Sequence, residues 1–371
     1  MTSYFRINFS VANVTTIGKI TYIMFKLELL RKVVQKNCLI SDAYHAGSYS
    51  MCTFLLKMRE YYRWEHRIPL SQPLPKEELG LWLVEREEAW EKTTSEKPTE
   101  KYLPLTFGNT KIDPFDSTQI NKRIQKEGYI YSSGYGLFNK PHFFLAELKN
   151  REQFEDYTLL VSSREFARDL TAPPAMMQGS TIFIRQESIK RFIWEKIEEW
   201  QWKKRPDVPM AHAIGAHGKN SDLEHILDKM VEQETQTMTY HEIGEIKAGQ
   251  LLGQQWEEML ITLARSKSEL LARAVRDLMA DCLYTLPLLL EREDKASLHF
   301  YFANFSGMRK ALFPEAYDAY QNWVDSGDIT ALKNICRSGK DQWHEKAEEI
   351  LGFYRQENNR LEKFIESLFL I

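Results

Sequence analysis

The sequence predicts an α+β protein that is predominantly helical, with a small antiparallel β-sheet in the middle of the chain. Apolar residues recur at helical spacing through the first hundred residues and again after residue 187. Between residues 128 and 186 the pattern changes to short aromatic or β-branched runs separated by turn residues. With 43% hydrophobic residues in a chain of 371, a sizeable core can be buried.

The N-terminal region, residues 24–100, is predicted to contain three helices. Their apolar stripes repeat at helical spacing in the ranges 25–36, 48–66 and 79–90. Prolines from Pro69 onward end the second helix, because proline cannot continue an α-helix. Residues 1–23 are rich in Thr, Ser, Asn and aromatic residues and lack a signal-peptide pattern. We expect them to form a peripheral extension, with Met24 as the natural start.

The middle region, residues 101–186, is predicted to contain the sheet. Its four candidate strands cover residues 129–131, 142–148, 157–161 and 180–185. Gly, Asn, Pro and charged residues separate the first three, as is typical of an antiparallel meander. Ser162 and Glu165 have the spacing of a helix-capping box, so we expect a short helix that begins there and ends before Pro173.

The C-terminal region, residues 187–371, is predicted to be helical again. Its apolar stripes cover the ranges 187–204, 222–234, 270–290, 298–312, 314–324 and 341–368. Ser221 is the expected cap of the helix that starts at 222, and Ser266 with Glu269 forms a capping box for the helix over 270–290.

Composition argues against several classes of partner. The formal net charge of −3 provides no electrostatic case for binding nucleic acid or an anionic membrane surface. No run approaches the roughly 20 apolar residues that a membrane-spanning helix needs. The four cysteines form no Cys-x-x-Cys pair, so zinc-ribbon and thioredoxin-type motifs are absent.

The strongest functional signal is a polar pair, His241 and Glu245, set into an apolar helix stripe. Residues four apart share one helix face, and a buried imidazole and carboxylate cost free energy unless a metal or another side chain satisfies them. The spacing permits both to ligate one ion. Alternatively, Thr239 and Glu242 form a capping box that starts a helix here, Glu245 pairs with an arginine and His241 is half exposed.

Three acidic residues on other predicted helices are candidates to complete this site. Glu65 follows an apolar stripe, and Asp277 and Asp281 are one turn apart in a helix that is apolar on most sides. With His241 and Glu245 they would form an oxygen-rich site suited to iron or manganese rather than zinc. Taken singly, each has a structural alternative: an exposed pair with Arg273 for Asp277, and a salt bridge to an arginine for Glu65.

A cluster of arginines suggests a second kind of site. Arg164, Arg168 and Arg185 surround the short helix expected at Ser162, whose amide groups and dipole would help to hold an anionic ligand. The alternative is ion pairing with nearby acidic residues.

The aromatic helix over residues 187–204 suggests an interface. It carries Trp194, Trp200 and Trp202, some of them off its main apolar stripe. These residues would form a surface for a protein partner or a second copy of the chain, or else pack a central helix on two sides.

Three stretches of the sequence resemble a bacterial family of uncharacterised proteins. They are NCLISDAYHAG at 37–47 running into MREYYRWE at 58–65, ARDLTAPPA at 167–175, and LHFYFANFSGM at 298–308. The resemblance covers the chain from about Met24 onward. It implies a bacterial, cytoplasmic protein, and it transfers no activity and no catalytic residue.

Three functional hypotheses follow from the sequence. The first is an enzyme with a helix-borne carboxylate–histidine metal site, an oxidase or a metal-dependent hydrolase. The second is a non-catalytic interaction or scaffold protein, in which the polar helix residues form structural ion pairs. The third is a module that binds a small anionic ligand through the arginine cluster.

Overall fold

The fold is α+β and 69% helical, in agreement with the class that the sequence predicts. The structure, a computed structural model, describes residues 11–96, 101–136, 139–203, 208–218 and 222–369. Contacts divide the chain into two compact units. The N-terminal unit consists of Met1–Pro69, Pro73–Glu152 and Leu160–Ala172, and the C-terminal unit consists of Leu70–Gln72, Gln153–Leu159 and Pro173–Ile371.

The N-terminal unit contains four described α-helices. They are α1 (Val11–His45), α2 (Met51–Glu65), α3 (Lys76–Glu96) and α4 (Ser117–Ile124). Helix α1 begins well before the predicted start at residue 25, and residues 1–10 of the expected extension lie outside the described part of the chain. Ser50 caps α2, because its side chain accepts a hydrogen bond from the Thr53 amide.

The described strands form two sheets. A hairpin pairs β1 (Leu105–Phe107) with β2 (Thr110–Ile112). The larger sheet is mixed and has the order β3-β4-β5-β7-β6, so it is larger than the small antiparallel meander that the sequence predicts. Its strands are β3 (Tyr129–Tyr135), β4 (Pro141–Gln153), β5 (Thr158–Arg168), β6 (Ala175–Gln178) and β7 (Thr181–Arg185). The register pairs Ser132 with Phe144 in β3 and β4, and Met176 with Phe183 in β6 and β7.

The prediction of a short helix that begins at Ser162 is wrong, because β5 continues through Arg168. Ser163, the residue after the expected cap, donates a hydrogen bond to the Glu147 carboxylate at 2.6 Å. A capping interaction stabilises by only about 1 kcal/mol. Burial of the apolar residues on either side of it, together with the sheet hydrogen bonds, outweighs that local preference.

The C-terminal unit is a helical assembly whose described helices follow one another with short connections. They are α5 (Gln186–Lys203), α6 (Pro209–Ala216), α7 (Leu223–Leu252), α8 (Gln254–Thr262), α9 (Lys267–Ala280), α10 (Leu286–Glu291), α11 (Lys295–Asn304), α12 (Gly307–Leu312), α13 (Pro314–Ser326), α14 (Thr330–Gln356) and α15 (Leu361–Phe369). The core of this unit includes Trp256, Met279, Phe302 and Trp343, all buried. None of the helices in the described ranges is both long and apolar enough to cross a bilayer.

Helix α7 is longer than the sequence predicts. The capping box expected at Thr239 and Glu242 is wrong: the Thr239 hydroxyl donates to the Thr235 carbonyl at 2.7 Å in the middle of the helix. The helix continues because apolar residues on both sides of this point, such as Met230 and Ile243, are buried. Ser221, the expected cap, lies outside the described residues, and Asp222 occupies the N-cap position.

A π-helical segment, Asp281–Thr285, interrupts the helix predicted over residues 270–290. The start of that helix is confirmed, because the Glu269 amide donates to the Ser266 side chain at 3.0 Å. Within the segment the Leu286 amide donates to the Asp281 carbonyl, five residues back. Pro287 follows immediately, and a proline has no amide to donate and clashes with the carbonyl four residues before it. The wider turn accommodates it, and such turns occur frequently at functional sites.

Candidate metal centre

Three potential ligands converge between α7 and α9 in the C-terminal unit. His241 and Glu245 on α7 and Asp277 on α9 each offer one ligand atom, and these atoms all lie within 4.8 Å of one another. The two helices approach closely at Gly244, where an added Cβ would lie 2.7 Å from the Ala280 carbonyl oxygen. The absence of a side chain at this glycine therefore brings the two helices near enough for the three groups to meet.

The His241 ring is held between two carboxylates. Its Nδ1 lies 2.8 Å from Oδ1 of Asp281, and its Nε2 lies 3.3 Å from Oε1 of Glu245. Burial by itself lowers the pKa of His241, but these two carboxylates raise it well above its ordinary value. His241 is therefore an imidazolium at neutral pH in the ion-free protein.

Asp281, the first residue of the π-helical segment, orients the histidine. Its second oxygen, Oδ2, accepts hydrogen bonds from the Tyr301 hydroxyl at 2.8 Å and from Arg309 at 3.0 Å. Burial alone raises the pKa of this carboxyl, but His241 and Arg309 bring it below its usual value, so Asp281 is ionised. With Nδ1 of His241 bound to Asp281, Nε2 is the ring nitrogen left to face Glu245.

Glu245 and Asp277 differ in their surroundings. Arg276 donates to Oε2 of Glu245 at 2.9 Å, and Arg276 and His241 lower the pKa of that carboxyl in spite of its burial. Burial and the nearby Glu245 charge raise the pKa of Asp277 to about 6. The alternative ion pair between Asp277 and Arg273 does not form among the described residues. Arg273 instead pairs with Glu269 at 2.9 Å.

Glu65, the remaining predicted ligand, belongs to the N-terminal unit. Its carboxylate accepts hydrogen bonds from Nε1 of Trp82 at 2.8 Å and from Arg86 at 2.6 Å. These contacts correspond to the structural alternative for Glu65, a salt bridge to an arginine. The cluster at His241 therefore combines four of the five predicted residues, with Asp281 as the partner of the histidine.

The predicted arginine cluster is distributed differently. Arg164 and Arg168 lie on β5 in the N-terminal unit, where Arg164 is exposed and Arg168 is buried 3.9 Å from Glu165. Arg185 is fully buried at the end of β7, in the C-terminal unit. Since Ser162 lies in a strand, no helix N-terminus is present there to reinforce anion binding.

A cavity of about 240 Å³ adjoins the cluster and reaches His241, Glu242 and Asp281. Glu234 lines it from two helical turns before His241 on the same face of α7, and accepts a hydrogen bond from the Ser297 hydroxyl at 2.9 Å. Burial raises the pKa of Glu234 to about 8, so this acid is largely protonated at neutral pH. Burial and Glu245 raise the pKa of Glu242 to about 7.

The cavity wall also contains buried polar atoms that have no hydrogen-bond partner among the described residues, and two of them matter for the proposal below. These two are the Thr285 hydroxyl, in the π-helical segment, and the carbonyl oxygen of the Asn304 side chain. A buried polar atom without a hydrogen bond costs about 1–3 kcal/mol. Such atoms in a cavity wall are available to a bound molecule.

Sequence reasoning missed several of the residues that form this site. Tyr301 and Arg309 reach Asp281 from α11 and α12, and only the long-range packing of those helices brings them there. Glu234 had a detectable signal, because it lies seven residues before His241 in a stripe that includes Met230. Asn304 had none, since it follows an aromatic run typical of a buried helix.

The tryptophans of α5 do not share one environment. Trp194 is buried, whereas Trp202 is 69% exposed near the end of the helix. An interface through this helix stays a prediction.

Two family models match most of the chain. Residues 29–185 match the N-terminal domain, and residues 190–370 the C-terminal domain, of a family of unknown function, DUF6866. The chain belongs to this family, and the predicted resemblance to an uncharacterised family is confirmed. The bacterial origin and cytoplasmic location that the resemblance implied stay predictions. No curated protein and no solved structure matches the chain.

Proposed function

We propose that the C-terminal unit binds a divalent metal ion through Nε2 of His241 and the carboxylates of Glu245 and Asp277. The observation that carries this proposal is the convergence of three ligand atoms within 4.8 Å from two adjacent helices. One imidazole and two carboxylates favour iron or manganese over zinc. Three protein ligands leave coordination positions open, which is typical of catalytic rather than structural sites.

The surroundings of the three residues fit an ion. A ligating histidine normally donates its other ring N–H to a carboxylate, which fixes the tautomer and the direction of the ring. Asp281 has that relationship to His241, and Tyr301 and Arg309 hold Asp281 in place. His241 must release its Nε2 proton to become a ligand, so we expect metal affinity to rise with pH.

We further propose that the site is catalytic and that the adjoining cavity holds the molecule acted upon. A bound ion would supply Lewis-acid polarisation or water activation, in an oxidase or a hydrolase. The protein's own contribution would come from three groups in the cavity wall. Glu234 can donate a proton, and Thr285 and Asn304 can orient a polar substrate through hydrogen bonds.

A second candidate, a non-catalytic interaction protein, rests on a different observation. His241, Glu245 and Asp281 already have ion-pair partners without a metal, including Arg276 and Arg309. Such a network is sufficient to satisfy the buried charges by itself. In that case the cluster would only stabilise the fold, and exposed residues such as Trp202 would contact a protein partner.

Calorimetric titration of the full chain with Mn(II) tests the first proposal. We expect one binding site per chain in the wild type and in His225→Ala, a control at an exposed position of the same helix. His241→Ala should abolish binding. Equal binding by His241→Ala, or no binding of Mn(II), anaerobic Fe(II) or Zn(II) by the folded wild type, would refute the metal site and favour the structural network.

A further inference from the structure

A second cavity lies in the N-terminal unit, and the metal proposal does not use it. It has a volume of about 470 Å³ and lies between one face of α1, the end of α2 and β5. Its walls combine apolar and aromatic side chains, including Leu27, Trp64 and Phe166, with three arginines. These arginines are Arg31, Arg67 and Arg164.

The hydrogen-bond acceptors in this cavity are already engaged. Both carboxylate oxygens of Glu28 accept from Arg31 at 2.9 Å, in a bidentate pair. Glu65 is bound by Trp82 and Arg86. Neither acid is therefore well placed to receive a donor group from a ligand.

Two hydrogen-bond donors of the cavity, in contrast, remain available to a ligand. Nε1 of Trp64 is buried and has no hydrogen-bond partner among the residues that the structure describes. Arg164 is exposed, its guanidinium lies 5.4 Å from the Phe166 ring centre, and it forms no ion pair with a residue in the described ranges. An unsatisfied indole N–H and an unpaired guanidinium in one concave site favour a ligand rich in acceptor oxygens.

Arg67 has a backbone conformation that needs an explanation. It follows α2 with a φ of 55°, the left-handed conformation that glycine usually supplies after a helix. Its amide donates to Trp64, and the Ile68 amide donates to Arg63, as in a Schellman motif. The arginine side chain lies over the Trp64 ring at 5.4 Å and donates to the Glu165 carbonyl at 2.8 Å. Strained residues of this kind cluster at ligand-binding sites.

We propose that this cavity binds a small organic molecule that carries a carboxylate or phosphate group on an aromatic or apolar body. The anionic group would be held by Arg164 and Arg67 and accept the Trp64 N–H. The apolar body would contact Leu27 and Phe166. This site replaces the arginine set expected from the sequence, since only Arg164 is common to both.

Titration calorimetry with benzoate and phenyl phosphate tests the proposal on the full-length chain, with uncharged benzamide as the matched ligand. We expect one site for at least one of the two anions and much weaker binding of benzamide. Arg164→Gln should weaken binding by roughly tenfold or more, because a charge-assisted hydrogen bond is lost. Arg151→Gln, an exposed arginine on β4 outside the cavity, should bind as the wild type does.

Arg67→Gly separates ligand binding from a purely structural role. Glycine relieves the strained φ, which offsets the loss of the Arg67 contacts with Trp64 and the Glu165 carbonyl. This variant should therefore unfold close to the wild-type temperature and still lose affinity. Binding equal to the wild type in both Arg67→Gly and Arg164→Gln, equal affinity for benzamide, or no binding of either anion would overturn the proposal. The His241→Ala variant should bind the anion normally, so failure of the metal proposal leaves this result unaffected.

Discussion

Oδ1 of Asp281 lies 2.8 Å from Nδ1 of His241, while Oδ2 of the same carboxylate accepts hydrogen bonds from Tyr301 and Arg309. One buried carboxylate thus connects the π-helical segment to α7, α11 and α12. Its position depends on the wide turn before Pro287, and the direction of the histidine depends on its position. The geometry of the site therefore depends on Asp281 as well as on the three candidate ligands.

Replacing Asp281 should affect both stability and metal affinity. Asp281→Asn leaves His241 and Arg309 without their buried anionic partner, so we expect unfolding to become easier by about 3 kcal/mol. Metal affinity should fall about 10- to 100-fold, as is usual when the orienting partner of a ligating histidine is lost. Denaturant unfolding and Mn(II) titration measure the two effects. Asp318→Asn, at an exposed position of α13, is the control and should change neither; unchanged affinity in Asp281→Asn would contradict the orienting role.

Because α7 and α9 approach closely, one glycine of α7 should be sensitive to substitution by alanine and another should tolerate it. A Cβ at Gly244 would lie 2.7 Å from the Ala280 carbonyl oxygen, whereas a Cβ at Gly249 on the same helix meets nothing within 4 Å. We expect Gly244→Ala to destabilise by about 1–3 kcal/mol and to weaken metal binding. Gly249→Ala should stabilise by up to about 1 kcal/mol. Thermal unfolding distinguishes them, and equal effects at the two positions would show that the helix contact is not tight.

The buried acid Glu234 should make stability depend on pH. Burial raises its pKa from an ordinary value of 4.5 to about 8, so folding favours the protonated form. The contribution of Glu234 to the stability of the fold is fully present below about pH 4.5. It is lost as the pH rises towards 8, where the folded protein must bury a carboxylate.

Glu234→Gln cannot ionise and should remove this part of the decline. The free energy of unfolding of this variant, relative to that of the wild type, should therefore increase from pH 5 to pH 8 by about a few kcal/mol. Urea unfolding at the two pH values measures the difference in free energy of unfolding between Glu234→Gln and the wild type. The effects of the other titrating groups cancel in this difference. A constant difference across the range would mean that Glu234 is ionised or solvated in the folded protein.

Glu65 and Asp277 should behave differently although the sequence suggests both as ligands. Glu65→Gln loses the ion pair with Arg86 near the surface, and we expect a loss of about 1 kcal/mol or less with metal binding unchanged. Asp277→Asn removes a ligand from the cluster and should weaken metal binding strongly. Parallel Mn(II) titrations compare them, and loss of metal in Glu65→Gln would reinstate it as part of the site.

Much of the candidate centre follows from local spacing. His241 and Glu245 are one helical turn apart, as are Asp277 and Asp281, so the sequence alone predicts two pairs of neighbouring side chains. The helical class and the approximate positions of β3, β4, β5 and β7 follow from periodicity in the same way, whereas β1, β2 and β6 were not predicted.

The features that separate the candidate metal ligands from the residues that hold them in place are not local in the sequence. The contact between Asp281 and His241 depends on the π-helical turn and on the close approach at Gly244, and neither has a periodic signature. The capping boxes at Ser162 and Thr239 failed because burial of long apolar segments outweighs a hydrogen bond of about 1 kcal/mol. Glu65 resembled a ligand because a stripe pattern does not reveal the arginine that meets it.

The most direct test of the central proposal is the metal content of the natively purified full-length protein, measured by inductively coupled plasma mass spectrometry. We expect close to one equivalent of iron or manganese per chain in the wild type and in His225→Ala. A folded His241→Ala/Glu245→Ala variant should contain none. A wild type that contains no metal and gains no thermal stability from added Fe(II), Mn(II) or Zn(II) would contradict the metal site. Equal metal content in the double variant would contradict it as well.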